Sequence, residues 1–133
     1  MFFHKVRDLL GLLRAPSGPA AAPMLRPVID EAARAWPFQE AWVDLSPRGP
    51  GVFFLYCMGR LIYIGVATSG SGLREELASH LRGVYGVGTR KATAFTWEPA
   101  AHPLALHRAY LEAHRARYGG RLPRCNESEL SAR

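Results

Sequence analysis

The stretch Pro50-Gly51-Val52-Phe53-Phe54-Leu55-Tyr56-Cys57-Met58-Gly59-Arg60-Leu61-Ile62-Tyr63-Ile64-Gly65 decides the fold of this chain. Residues 52–57 and 61–64 are two runs rich in β-branched and aromatic side chains, and Met58-Gly59-Arg60 between them has turn character, so the stretch reads as a β-hairpin. Downstream, Ala67-Thr68-Ser69-Gly70-Ser71-Gly72 is too irregular for regular structure and leads into a helix from Leu73 to about Arg82. Its Gly and Ser residues can expose backbone N–H groups near a helix N-terminus, a favourable place for a phosphate oxygen, or they form only a flexible loop. Residues 89–98 alternate through Ala92, Ala94, Phe95 and Trp97, which predicts a third strand. Pro103 opens a long helix to about Tyr118, ended by Gly119-Gly120.

The N-terminal part reads as an accessory. Phe2, Phe3, Val6, Leu9, Leu10 and Leu13 recur at helical spacing with Lys5, Arg7 and Asp8 between them, predicting an amphipathic helix over residues 2–14. Residues 15–23 have the Pro, Ala and Gly composition of a linker. A second helix over residues 27–36, a strand over 41–45 and a turn over 46–50 complete the approach to the hairpin. The division is therefore residues 1–24 as helix and linker, and 25–133 as one α+β domain: a small antiparallel three-stranded sheet flanked by helices, with an N-terminal helical extension. The first helix can dock on its own domain, on a protein partner or on a membrane surface.

Composition narrows the function classes. A chain of 133 residues, 48% hydrophobic, suits one domain with one core. Two cysteines, Cys57 and Cys125, make neither a disulfide framework nor a Cys-x-x-Cys metal spacing, so free thiols in a reducing cytoplasm are expected. No apolar run approaches the roughly 20 residues that span a bilayer, and charge interrupts the apolar start, so a transmembrane segment or a signal peptide is not expected. The net charge of +6 is uneven: residues 1–48 hold six basic and five acidic side chains, and residues 49–133 hold eleven and six. Arg82, Arg90 and Lys91 flank one loop, and Arg108, Arg115, Arg117, Arg121 and Arg124 gather on and after the last long helix. Such a surface favours a phosphate backbone through counterion release, although an arginine-rich solvated face has the same composition.

With Gly51-Val52-Phe53 opening the first strand and Tyr63-Ile64-Gly65 closing the second, the hairpin resembles that of the GIY-YIG nuclease superfamily. The likeness continues through Leu73-Arg74-Glu75-Glu76-Leu77-Ala78-Ser79-His80, set against the family's Leu-x-x-Arg-Leu-x-x-x-His helix, and ends at Pro123-Arg124-Cys125-Asn126, which matches its Pro-x-x-Asn ending. It spans residues 50–126. The family's arginine position holds Glu76. Its metal-binding glutamate position falls on His107, judged from the apolar pair that follows, with Glu112 as the alternative. Phe53 keeps the ring of the first triplet's tyrosine and lacks its hydroxyl.

The resemblance implies divalent-metal-dependent hydrolysis of a phosphodiester, with magnesium or manganese as the ion. Tyr63 then holds or polarises the attacking water, His80 acts as base or ligand, and Asn126 braces the site; these three are the candidate catalytic residues. Arg74, Arg82, Arg90, Lys91, Arg115 and Arg124 are the candidate nucleic-acid contacts, DNA being the expected partner. An acid about 4 Å from a phosphate turns an attraction of roughly 4 kcal/mol, at an effective dielectric near 20, into a repulsion of similar size, so Glu76 cannot replace the arginine directly. Two arrangements restore the charge. Glu76, His80 and His107 can share a divalent ion, or Arg74 can reach around after a register shift. Three readings stand together: a divergent endonuclease, a nucleic-acid-binding domain without catalysis, and a protein-interaction module that uses residues 2–14.

Overall fold

The computed structural model describes residues 34–131, with side chains as far as Glu129. The expected helix over 2–14 and the linker over 15–23 lie outside the described residues, as does most of the expected helix over 27–36. Trp36, the last residue of that expected helix, belongs to a strand instead. In chain order the elements are β1 (Trp36–Pro37), α1 (Glu40–Val43), β2 (Gly51–Cys57), β3 (Arg60–Ala67), α2 (Gly72–Leu81), α3 (Val87–Arg90), β4 (Ala94–Pro99), α4 (Pro103–Arg117) and α5 (Arg124–Ser131). The fold is α+β, and its sheet has four antiparallel strands in the order β1-β4-β2-β3, one more than expected. The addition is β1, two residues pairing Trp36 with Phe95 and Pro37 with Ala94.

β2 is central, paired to β3 on one side and β4 on the other. Both of its faces are covered, which is why residues 52–57 form an unbroken apolar run rather than an alternating one. Phe53 and Leu55 point into one core with Leu73 and Leu77 of α2. Val52, Phe54 and Tyr56 point into the other with Ile64 and Tyr110 of α4. Complete burial of Leu73 and Leu77 stabilises the α2 packing by about 1.5–3 kcal/mol each. The hairpin turns on Met58 and Gly59 alone, at φ 51° and 84°, a two-residue loop whose positive dihedrals match the twist of the flanking strands. Arg60, expected in the turn, already belongs to β3.

Two expected elements are corrected. Residues 41–45 are not a strand: residues 40–43 form one helical turn, with Trp42 and Val43 N–H groups on the Gln39 carbonyl. The apparent alternation Ala41, Val43, Leu45 misleads because only Val43 is core, while Leu45 is exposed. The third strand begins at Ala94 rather than near Thr89, since residues 87–90 form the short α3. The long helix matches its reading closely. Pro103 sits in its first turn, and Gly119 and Gly120 take positive φ while the Gly120 N–H closes back on the Arg115 carbonyl at 2.8 Å. No described helix is long and apolar enough to cross a membrane.

Candidate functional site

The register of β3 sets the site. A bulge against Leu55 and Tyr56 gives β3 an extra residue, so Ile62 and Tyr63 both enter the core shared with α2 while Ile64 enters the opposite one. Tyr63 therefore lies under α2. Its ring centroid is 5.1 Å from His80 and 6.0 Å from Phe53, and His80 is 5.4 Å from Phe53. Gly65 stands opposite Phe53 in the ladder, and a Cβ there would collide with the outer edge of the Phe53 ring. The second triplet's glycine thus makes room for the aromatic side chain of the first.

Asn126 reaches the same strand from α5. Its Oδ1 accepts the Ile64 N–H and its Nδ2 donates to the Ile64 carbonyl, both at 2.9 Å, so one side chain occupies both polar atoms of a residue on the outer strand. His107 Nε2–H donates to the same carbonyl at 2.9 Å. The structure thus brings Tyr63 and His80 together and fixes the backbone next to Tyr63 through Asn126.

Electrostatics set the protonation states. Burial pushes the His80 imidazole down to about 4, and its Nδ1 lies 2.7 Å from Thr89 Oγ1, so His80 is neutral at physiological pH. Burial, then the charge of Glu129 and the bond to it, push the Tyr63 hydroxyl well above the usual tyrosine range, with Glu76 and Tyr85 adding to the shift. Tyr63 is accordingly a hydrogen-bond donor, to Glu129 Oε2 at 3.0 Å. Glu76 accepts from Ser71 Oγ at 3.0 Å and from Tyr85 at 3.1 Å. Tyr85 also packs on His80 at 4.5 Å. Tyr63 and His80 are both buried, and the carboxylates nearest the Tyr63 hydroxyl are Glu129, bonded to it, and Glu76.

Other candidates fare differently. Glu76, His80 and His107 do not form a metal site: among the described residues no group of three or more His, Cys, Asp or Glu is placed to hold an ion. His80 Nδ1 is on Thr89, and His107 Nε2 is taken by the Ile64 carbonyl, so the residues present do not fit the expected ligand set. Arg74 does not rescue the missing arginine either, because its Nε–H donates to the Ser46 carbonyl at 2.8 Å. The expected phosphate seat at the start of α2 is closed: the Leu73 and Arg74 N–H groups donate to the Gly49 and Pro47 carbonyls, at 2.9 and 3.0 Å. Arg82, Arg90, Lys91, Arg115 and Arg124 are all exposed.

Sequence reasoning missed Glu129 and Tyr85. Glu129 had a usable signal, standing three residues after Asn126 and so on the same face of a helix. Tyr85 follows α2 in an irregular stretch and carries no pattern. Comparison with protein-family models, with curated proteins and with solved structures found no match.

Proposed function

We propose that this chain is a divergent GIY-YIG-type nuclease domain that engages nucleic-acid phosphodiesters, DNA foremost, beside Tyr63. The observation that carries this reading is proximity along β3: His80 packs on Tyr63, and Asn126 bonds the backbone of the next residue, Ile64. In a hydrolytic step the Tyr63 hydroxyl, aimed by Glu129, positions the attacking water, and neutral His80 packs behind the Tyr63 ring. A magnesium or manganese requirement belongs to the same reading. A reducing, cytoplasmic setting fits the free thiols of Cys57 and Cys125.

The test is nicking of supercoiled plasmid with magnesium or manganese. Wild type should nick, while Tyr63→Phe and His80→Ala should each lose at least about 100-fold in rate. Cleavage that survives both substitutions, or none by wild type, overturns the hydrolytic reading. A second reading, binding without cleavage, is favoured by the hydroxyl missing at Phe53 and by the acid at Glu76. Salt-dependent DNA binding without nicking selects it.

A further inference from the structure

On the sheet face opposite Tyr63 lies a groove of about 1120 Å3, bounded by the hairpin end of β2 and β3, the second half of α4, the connection over residues 118–123 and the start of α5. Its floor is apolar, with Tyr56, Ile64 and Tyr110 of the second core, and Leu122 beside them. Arg60, Arg117, Arg121 and Arg124 line it, and among the described residues only Arg121 of these has an ion-pair partner, Glu127 at 2.8 Å. Tyr118 is 40% exposed at the mouth, packed on His114 at 4.4 Å with the Arg117 guanidinium 5.8 Å from its ring.

We propose that this groove binds a single-stranded segment of nucleic acid, with phosphates on Arg60, Arg117 and Arg124 and a base against Tyr118. The proposal rests on the nucleic-acid reading above and names where the polyanion is held. Guanidinium groups match phosphate oxygens in geometry and charge, which gives the occupant its sign. The apolar trough with an exposed ring gives its form: a duplex hides its base faces, whereas an unpaired strand offers them for stacking. The carboxylates beside Tyr63 cannot supply that attraction. α5 joins the groove to the Tyr63 site, with Arg124 at the groove, Asn126 on Ile64 and Glu129 on Tyr63.

The test is fluorescence anisotropy on the full chain, with a labelled oligothymidylate of about twelve nucleotides, within the roughly 4–16-nucleotide sites typical of such grooves. A duplex of equal length is the competitor. Arg60→Glu with Arg117→Glu should weaken binding at least about tenfold and lower the slope of log affinity against log salt by about 1.4, at about 0.7 per phosphate. Tyr118→Ala should weaken it about fivefold or more. Unchanged affinity and slope in the double variant, or a duplex that competes as well as the single strand, overturns the groove assignment. Plasmid nicking by a wild-type chain that does not bind the oligonucleotide also overturns it and leaves the nuclease reading intact. Binding through the groove without nicking supports the groove and removes only the hydrolysis.

Discussion

The two faces of the sheet are built to opposite rules. Under α2, aromatic rings pack around a buried Tyr63, whose hydroxyl is bonded to Glu129, while the neighbouring His80 imidazole is bonded to Thr89. Under α4, Tyr56 of the same central strand joins Ile64 and Tyr110 in the floor of a groove lined by arginines. The motif residues and the groove arginines thus sit on different faces, and Ile64, bonded by Asn126 and His107, lies between them. For a phosphodiester ligand, attraction and chemistry must then be divided between two surfaces, because a carboxylate beside Tyr63 repels what an arginine beyond the strand edge attracts.

The largest effect is expected where the faces meet. Asn126→Ala removes both side-chain bonds to Ile64 and leaves a buried N–H without its acceptor, which should cost about 3 to 4 kcal/mol, read as a lower urea midpoint with unchanged slope. A loss under about 1 kcal/mol would mean that the strand edge holds without it.

Next comes the buried imidazole under α2. The folded chain holds His80 at about 4 against 6.5 in the unfolded chain, so below pH 6.5 the unfolded chain takes up a proton that the folded one refuses. Its contribution is therefore full above pH 6.5 and falls by roughly 3 kcal/mol as pH drops to 4. Urea titrations across that range should show the slope, and His80→Gln should flatten it. An identical slope in the variant would place the acid sensitivity elsewhere.

Gly65→Ala tests the packing of the same face. Its new methyl must displace the Phe53 ring, at about 2 kcal/mol, measured as a drop in melting temperature with the hairpin intact by circular dichroism. The smallest stability effect belongs to Tyr63→Phe, which loses only the partly buried bond to Glu129, about 1 kcal/mol. That small change beside a large loss of nicking would separate the hydroxyl's chemical role from its packing.

Legibility followed the range of the interactions. The hairpin, α2 and α4 could be read because their signals are local: β-rich runs around a tight turn, a helical stripe at Leu73 and Leu77, a proline and two glycines at the helix ends. β1 could not, since two residues carry no periodicity and exist as a strand only because β4 offers an edge. α5 was hidden for a related reason: Arg124-Cys125-Asn126-Glu127-Ser128-Glu129 is polar almost throughout, and its place is set by Asn126 reaching Ile64, 62 residues away.

The site divides along the same line. The intact Tyr63-Ile64-Gly65 triplet, and the helical spacing that brings His80 one turn beyond Glu76, are properties of the chain, because strand and helix periods fix which side chains share a face. The tertiary structure alone decided that His107 turns to the Ile64 carbonyl, that Glu129 accepts the Tyr63 hydrogen bond and that four arginines line a groove on the opposite sheet face. Those outcomes depend on how α4 and α5 dock across the β3 edge. Such docking is fixed by burial and hydrogen bonding between residues far apart in sequence, which no local pattern encodes.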